Sequence, residues 1–188
     1  AHIGHGLGYF IVENAKTARQ ILKSMGTDLP LQSLQLNELN QHTPSSALSV
    51  LLQPLLEGHD VGLLSDAGCP AVADPGAQIV ALAHQHGIRV IPQVGPSSIL
   101  LALMASGSNG QRFAFHGYLP IDAAQRQQKI KQLEQRSKQE DEAQIFIETP
   151  YRNQAFLDTL INACQPNTLL CSATDLTLNT EEIISRPI

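Results

Sequence analysis

The stretch VGLLSDAGCPAVADPG, residues 61–76, decides how the chain folds. Val61-Gly62-Leu63-Leu64 is a short apolar run bounded by turn residues, which reads as a buried strand. Gly68, Pro70, Pro75 and Gly76 then impose a tight, rigid loop. A helical pattern resumes directly after Gly76. Strand, loop and helix in that order point to an α/β sheet, and in such sheets ligands sit at the carboxyl ends of strands. Gly68 and Gly76 let backbone approach a ligand, while Asp66 and Asp74 offer fixed acceptors. The plainer use of the loop is a strand-to-helix connection with Asp74 as its N-cap.

Moving outward on the amino side, the spacing predicts a strand over Tyr9-Phe10-Ile11-Val12 and a helix over 16–25, closed by Gly26. Residues 29–43 read as polar and irregular; Asn37, Glu38, Asn40 and His42 either face a cleft or lie on a solvated loop. Ser45 or Ser46 is expected to cap a helix whose Leu48, Leu51, Leu52, Leu55 and Leu56 share one face. Pro54 should kink that helix or force its start.

On the carboxyl side, a helix over 77–86 ends at Gly87. A strand over 88–92 should follow, giving parallel pairing through a right-handed crossover. Gly95-Pro96-Ser97-Ser98 reads as a capped helix start before the apolar run 99–105. Residues 108–111 are a candidate linker. Beyond it lie a strand over 112–119, a charged helix over 122–142, a strand over 144–148, a helix over 153–163 and a strand over 168–173.

The chain has 188 residues, 43% hydrophobic and 15% charged, enough for one large domain or two small ones. A net charge of -5 argues against a free-standing RNA binder. Tryptophan is absent and aromatics are 4%, so base-stacking platforms are scarce. Three cysteines, none in a C-x-x-C pattern, suit a reducing, cytoplasmic compartment; Cys69 reads as a loop residue, Cys164 and Cys171 as small core residues. The run 99–105 is too short to span a bilayer, so no membrane partner is expected. His2 and His5 lack a third ligand nearby, so no metal is expected either. There is no G-x-G-x-x-G and no P-loop, which weakens dinucleotide and nucleotide-hydrolysis readings.

SDAGxPxxxDPG resembles the signature of the tetrapyrrole (corrin/porphyrin) methylase superfamily, in the branch of ribosomal RNA small subunit methyltransferase I and its relatives. Other stretches carry the same resemblance: Glu13 with Thr17 and Arg19; Gly95-Pro96-Ser97 before a helix ending in Ser106-Gly107; Gly117-Tyr118-Leu119-Pro120; and Glu148-Thr149-Pro150-Tyr151-Arg152 in place of Glu-Ser-Pro-x-Arg. Thr174-Asp175-Leu176-Thr177 stands where the family has Arg-Glu-Leu-Thr. The chain departs at Leu178 and Asn179, where the family has Lys and His, and it shows no Pro-x-Gly-Asn loop.

The resemblance implies an α/β, two-domain tetrapyrrole methylase fold, the class III S-adenosylmethionine methyltransferases, with the cofactor in the interdomain cleft. The implied domains are 1–107, without its first strand, and 112–188, without its last strands. The implied activity is S-adenosyl-L-methionine-dependent methyl transfer related to ribosomal RNA 2'-O-ribose methylation. The alternatives are methylation of a tetrapyrrole or other small molecule, and a non-catalytic S-adenosylmethionine-binding protein. Ser65, Asp66, Ala67, Val72, Ala73, Ser97, Tyr118, Leu119 and Thr174 are the implied cofactor contacts. Glu148 is the implied catalytic base, unless it only pairs with Arg152. A homodimer and the small ribosomal subunit are the implied partners.

Overall fold

A computed structural model describes residues 5–188; His2 lies outside them. The chain divides into two units between Pro96 and Ser97. The linker expected at 108–111 therefore falls inside the second unit.

In the first unit, strand β1 (Tyr9–Val12) is central. It runs parallel to β2 (Gln35–Glu38) on one side and β3 (Val61–Leu64) on the other, with Val12 opposite Glu38 and Leu64. A central parallel strand is covered on both faces and so reads as continuously apolar. Phe10, Ile11 and Val12 are accordingly almost fully buried. Phe10 and Val12 pack with Ala18 and Leu22 of helix α1 (Ala15–Met25), whereas Ile11 packs with Leu48, Leu51 and Leu52 of α2 (Leu48–Leu56) and Ile79 of α3 (Ala77–Gln85). The side-chain alternation of one strand thus separates two helical layers. Gly62 lies opposite Phe10, where a Cβ would stand 2.6 Å from the ring.

Asn14 starts α1: its Oδ1 accepts the backbone N–H of Lys16 at 2.9 Å and Thr17 at 3.1 Å. Three local expectations differ from the structure, and Pro54 does not start α2. Strand β2 lies inside the stretch read as irregular, because pairing along β1 and burial of Leu34 outweigh its polar composition. Ser45 and Ser46 form a 3-10 turn, Ser45–Ala47, with no side-chain cap. Pro54 lies within α2, near its carboxyl end. Residues 88–92 form no strand, since an apolar run needs a ladder partner and this one has none among the described residues; Ile91 is half exposed.

The second unit begins with α4 (Ser98–Ser106), which packs on an antiparallel pair, β6 (Leu169–Thr174) and β7 (Glu182–Pro187). A parallel pair, β4 (Phe113–Tyr118) and β5 (Ala143–Ile147), is joined through helix α5 (Ala123–Glu140). Helix α6 (Asn153–Ala163) lies against α5. Leu119, Ile130, Leu133, Phe156, Leu160 and Ala163 form the core here, with Phe146 tilted against Phe156 at 5.3 Å.

Candidate functional site

The parallel register that sets Val12 beside Leu64 brings Glu13 out of β1 next to Ser65, where the 65–76 loop leaves β3. The loop is held in an unusual shape. Gly68, Ala71, Ala73 and Gly76 have φ of 73°, 66°, 56° and 137°. Positive φ at the two alanines is strained, of order 1–3 kcal/mol each, and survives only where the surroundings enforce it. Ser65 Oγ donates to the Gly68 carbonyl at 3.3 Å, Val72 N–H to the Cys69 carbonyl at 3.1 Å, and the Cys69 thiol reaches the Pro96 carbonyl at 3.6 Å. Gly76 permits the closing bend; a Cβ there would stand 3.1 Å from Leu63 Cδ2. Gly76, not Asp74, occupies the N-cap position of α3.

Asp74 instead turns toward the end of β1. Burial pushes its carboxyl up to about 6, the charge of Glu13 and a hydrogen bond with Glu13 add to this, the Ala71 backbone amide opposes it, and Asp66 raises it further. This contact between Asp74 and Glu13 ties the loop to the strand beside it. Sequence reading places Glu13 and Asp74 in separate motifs; only the parallel register shows that they meet.

The structure brings Ser65, Asp66, Ala67, Val72 and Ala73 together on this one loop. Ser65 is half-buried and the other four are exposed. The backbone of Asp66, Ala67 and Ala73 makes no hydrogen bond to other described residues. Backbone donors and acceptors left open on a rigid loop fit a ligand with amino, carboxylate and adenine groups, such as S-adenosylmethionine.

The remaining predicted residues lie in the second unit. Ser97 is buried at the start of α4 but its hydroxyl makes no cap bond. Tyr118 is exposed at the end of β4. Leu119 is only 3% exposed and its side chain belongs to the core, and its backbone carbonyl accepts from Arg152 Nη2 at 3.5 Å, which leaves its backbone N–H for a ligand. Thr174 ends β6 opposite Glu182. Thr174 and Glu148 line one cavity of about 610 Å³ within this unit, together with Ser98 and Asp175.

Glu148 is not a free base. Its Oε2 is buried and lies 3.0 Å from Arg152 Nη2 in an ion pair without an aligned hydrogen bond. Its Oε1 accepts from Thr149 N–H at 2.8 Å and the Thr149 hydroxyl at 3.3 Å. The charged helix α5 uses much of its charge internally. Arg126 is buried and donates to Thr159 Oγ1 at 3.1 Å and to the Ile121 carbonyl at 2.8 Å. Arg136 pairs with Glu142 at 2.7 Å and Lys138 with Glu134 at 3.7 Å.

All three cysteines are free thiols. Burial pushes Cys164 up to about 11 and raises Cys171, so neither is a reactive thiolate. Among the described residues no group of three or more His, Cys, Asp or Glu could hold a metal ion, and no helix is long and apolar enough to cross a membrane.

Similarity to known proteins was found by sequence and by structure, although no family model matches. Ribosomal RNA small subunit methyltransferase I of Vibrio cholerae serotype O1 is 32% identical over 150 residues, 80% of this chain and 51% of that protein. The protein of the same name from Mesorhizobium japonicum is 37% identical over 144 residues, 77% of this chain and 48% of that one. The one from Escherichia coli O157:H7 is 32% identical over 166 residues, 86% of this chain and 57% of that one. The chain therefore spans about half the length of the curated relatives it matches. Among solved structures, the methyltransferase CobJ superposes with a TM-score of 0.57 at 18% identity, over 96% of this chain and 86% of that one. The cobalamin biosynthetic enzyme cobalt precorrin-4 methyltransferase, CbiF, gives 0.53 at 15%, over 96% and 74%. At those identities the structures speak for the fold.

Proposed function

For a chain that belongs with the tetrapyrrole methylases by fold and with the ribosomal RNA small subunit methyltransferase I proteins by sequence, we propose methyl transfer from S-adenosyl-L-methionine to small-subunit ribosomal RNA, at a ribose 2'-hydroxyl. The observation that carries this reading is the 65–76 loop: strained, rigid, at the carboxyl end of β3, with open backbone groups.

The cofactor supplies a methyl group already activated on a sulfonium sulfur. Bound there, it would give that methyl to an acceptor oxygen, the sulfur keeping the electron pair and the hydroxyl proton passing to solvent. The protein's task is then to align acceptor and donor and to exclude water. Ser65, Asp66, Ala67, Val72 and Ala73 are assigned to holding the cofactor from the loop, with Ser97, Tyr118, the Leu119 backbone and Thr174 as contributors from the second unit. Glu148 is assigned to fixing Arg152, since taking up a proton would break that ion pair.

The acceptor is read as the assembled small subunit, acted on in the cytoplasm by a homodimer. A net charge of -5 supports an assembled surface over naked RNA, because phosphate contacts need Lys and Arg. The test has two stages. Calorimetry with S-adenosylhomocysteine should give saturable heat, and a folded protein silent at millimolar ligand would end the proposal. Labelled methyl incorporation is then compared across assembled subunits, protein-free ribosomal RNA and a tetrapyrrole panel. Subunits alone should be labelled; labelling of the tetrapyrroles would move the substrate to the class named for the CbiF structure.

A further inference from the structure

The chain carries 12 cations. Arg112, Arg136, Lys138 and Arg152 are in ion pairs, and Arg126 is buried. Of the seven left, three fall on α1: Lys16, Arg19 and Lys23, all exposed and none with a carboxylate within 4.0 Å among the described residues. Their spacing of three and four residues puts them in one stripe along the helix. No acidic residue occurs anywhere in α1. The two unpaired lysines of α5, Lys129 and Lys131, are two residues apart and so point to opposite sides of their helix.

Only Lys23, in the last turn, suits the helix dipole. Arg19 and Lys23 are like charges at i,i+4, which weakens a helix. Lys16 sits in the first turn, at the positive end of the helix dipole, where an acid would be stabilising. A cationic stripe with no acidic partner among the described residues, in a chain of net negative charge, suggests an anionic partner supplied from outside.

We propose that the outer face of α1, through Lys16, Arg19 and Lys23, is the surface on which the sugar–phosphate backbone of the RNA acceptor rests. This rests on the reading of RNA as the substrate. The stripe spans seven residues, about 10 Å along the helix axis. The three cations can each meet a phosphate of a strand lying along that length. The helix leaves β1 directly after Glu13, so Lys16 lies nearest the 65–76 loop and Lys23 two turns further away. The phosphates would therefore be led away from the methyl-transfer site along the helix. Three contacts alone are too few to hold naked RNA tightly, consistent with an assembled subunit as the acceptor.

The test uses the whole chain carrying Lys16→Gln, Arg19→Gln and Lys23→Gln together. Glutamine has a helix propensity close to that of Lys and Arg, so α1 is retained. A control carries Lys129→Gln and Lys131→Gln. Binding to assembled small subunits is measured from 50 to 200 mM salt, a range over which phosphate contacts dominate the change. The α1 variant should bind roughly tenfold more weakly or worse, and its log–log salt slope should fall by about 2–3. S-adenosylhomocysteine binding and the melting temperature should stay as in the wild type. Unchanged affinity and slope in the α1 variant, or an equal loss in the control, overturns the surface assignment alone. A wild-type protein that binds S-adenosylhomocysteine but neither subunits nor ribosomal RNA overturns the RNA reading and the surface with it.

Discussion

The 65–76 loop and the stretch from Gly117 to Arg152 both carry motif residues, yet the two regions treat their polar groups in opposite ways. In the second, the charged groups Arg126, Glu148 and Arg152 are consumed internally. Arg152 holds Glu148, Arg126 is buried against Thr159 and the Ile121 carbonyl, and the Leu119 side chain lies in the core. In the loop, strained backbone is maintained while three residues leave their backbone groups open. A conspicuous residue pattern therefore does not by itself separate a binding group from a structural one. Accounting for each hydrogen bond does, because a satisfied group offers a ligand nothing and an unsatisfied one in a rigid frame does.

The sharpest way to break this contrast is Glu148→Gln. Removing one partner of a buried ion pair costs about 3 kcal/mol or more. Urea unfolding should show that loss, while S-adenosylhomocysteine affinity of the folded fraction stays unchanged. A variant with wild-type stability but methyl transfer reduced by ~100-fold or more would instead make Glu148 a proton-accepting base.

Gly68→Val probes the other side. A Cβ at Gly68 meets no atom within 4 Å, but φ of +73° disfavours any branched residue. The expected stability loss is about 1–2 kcal/mol. Loss of S-adenosylhomocysteine binding in calorimetry should be complete. Retained binding would show that the loop's shape is not what the cofactor needs.

How much of this was legible in the sequence depended on range. Val61 to Gly76 was readable because apolar run, turn residues and helix follow one another locally. Residues 35–38 were not: Gln35, Asn37 and Glu38 are poor strand residues, and only the edge of β1 makes a strand of them. Residues 88–92 failed in the reverse direction, having strand composition and no partner. The same limit governs the site. The loop residues are marked by Gly and Pro, but the Glu13–Asp74 contact depends on strand register, and the internal use of Arg126 depends on Thr159, 33 residues away. The stripe on α1 was readable from spacing alone, yet it stands out only once the other cations are seen to be paired.

The two units should also differ in their response to pH. Asp74 is raised by burial and by Glu13, so its contribution to stability is present below its unfolded value of 3.8 and is lost as pH rises through about 6. Glu134 in the second unit is opposite. Burial alone would raise it, but hydrogen bonds from Thr168 and the Gln165 backbone, with Lys138 nearby, outweigh burial and hold it low. Its contribution is present above 4.5 and is lost as pH falls through the carboxylate range. Amide exchange on the 65–76 loop should accelerate from pH 5 to pH 7 after correction for intrinsic rates, and Asp74→Asn should remove most of that dependence. Equal dependence in the variant would show that protonation of Asp74 does not hold the loop.

Cys69→Ser should have the smallest effect, and its smallness is informative. Cys69 lies in the middle of the loop, so a reader of the sequence would reasonably suspect a nucleophile or a metal ligand. In the structure its thiol reaches one main-chain oxygen, that of Pro96, at 3.6 Å. Cysteine sulfur is a weak donor, and serine places a stronger one at nearly the same position. Loss of sulfur–carbonyl contact is thereby offset, and the shorter C–O bond asks for only a slight shift of the loop. The Cys69 main-chain carbonyl, which accepts from Val72 at 3.1 Å, is untouched. The expected change in stability is within about 0.5 kcal/mol, the range of substitutions away from special features. Affinity for S-adenosylhomocysteine should be unchanged, because the open backbone belongs to Asp66, Ala67 and Ala73. Thermal melting and calorimetry on the same preparation decide it. Loss of binding with melting unchanged would place the thiol itself against the ligand and end the distinction between backbone that binds and side chains that hold the loop.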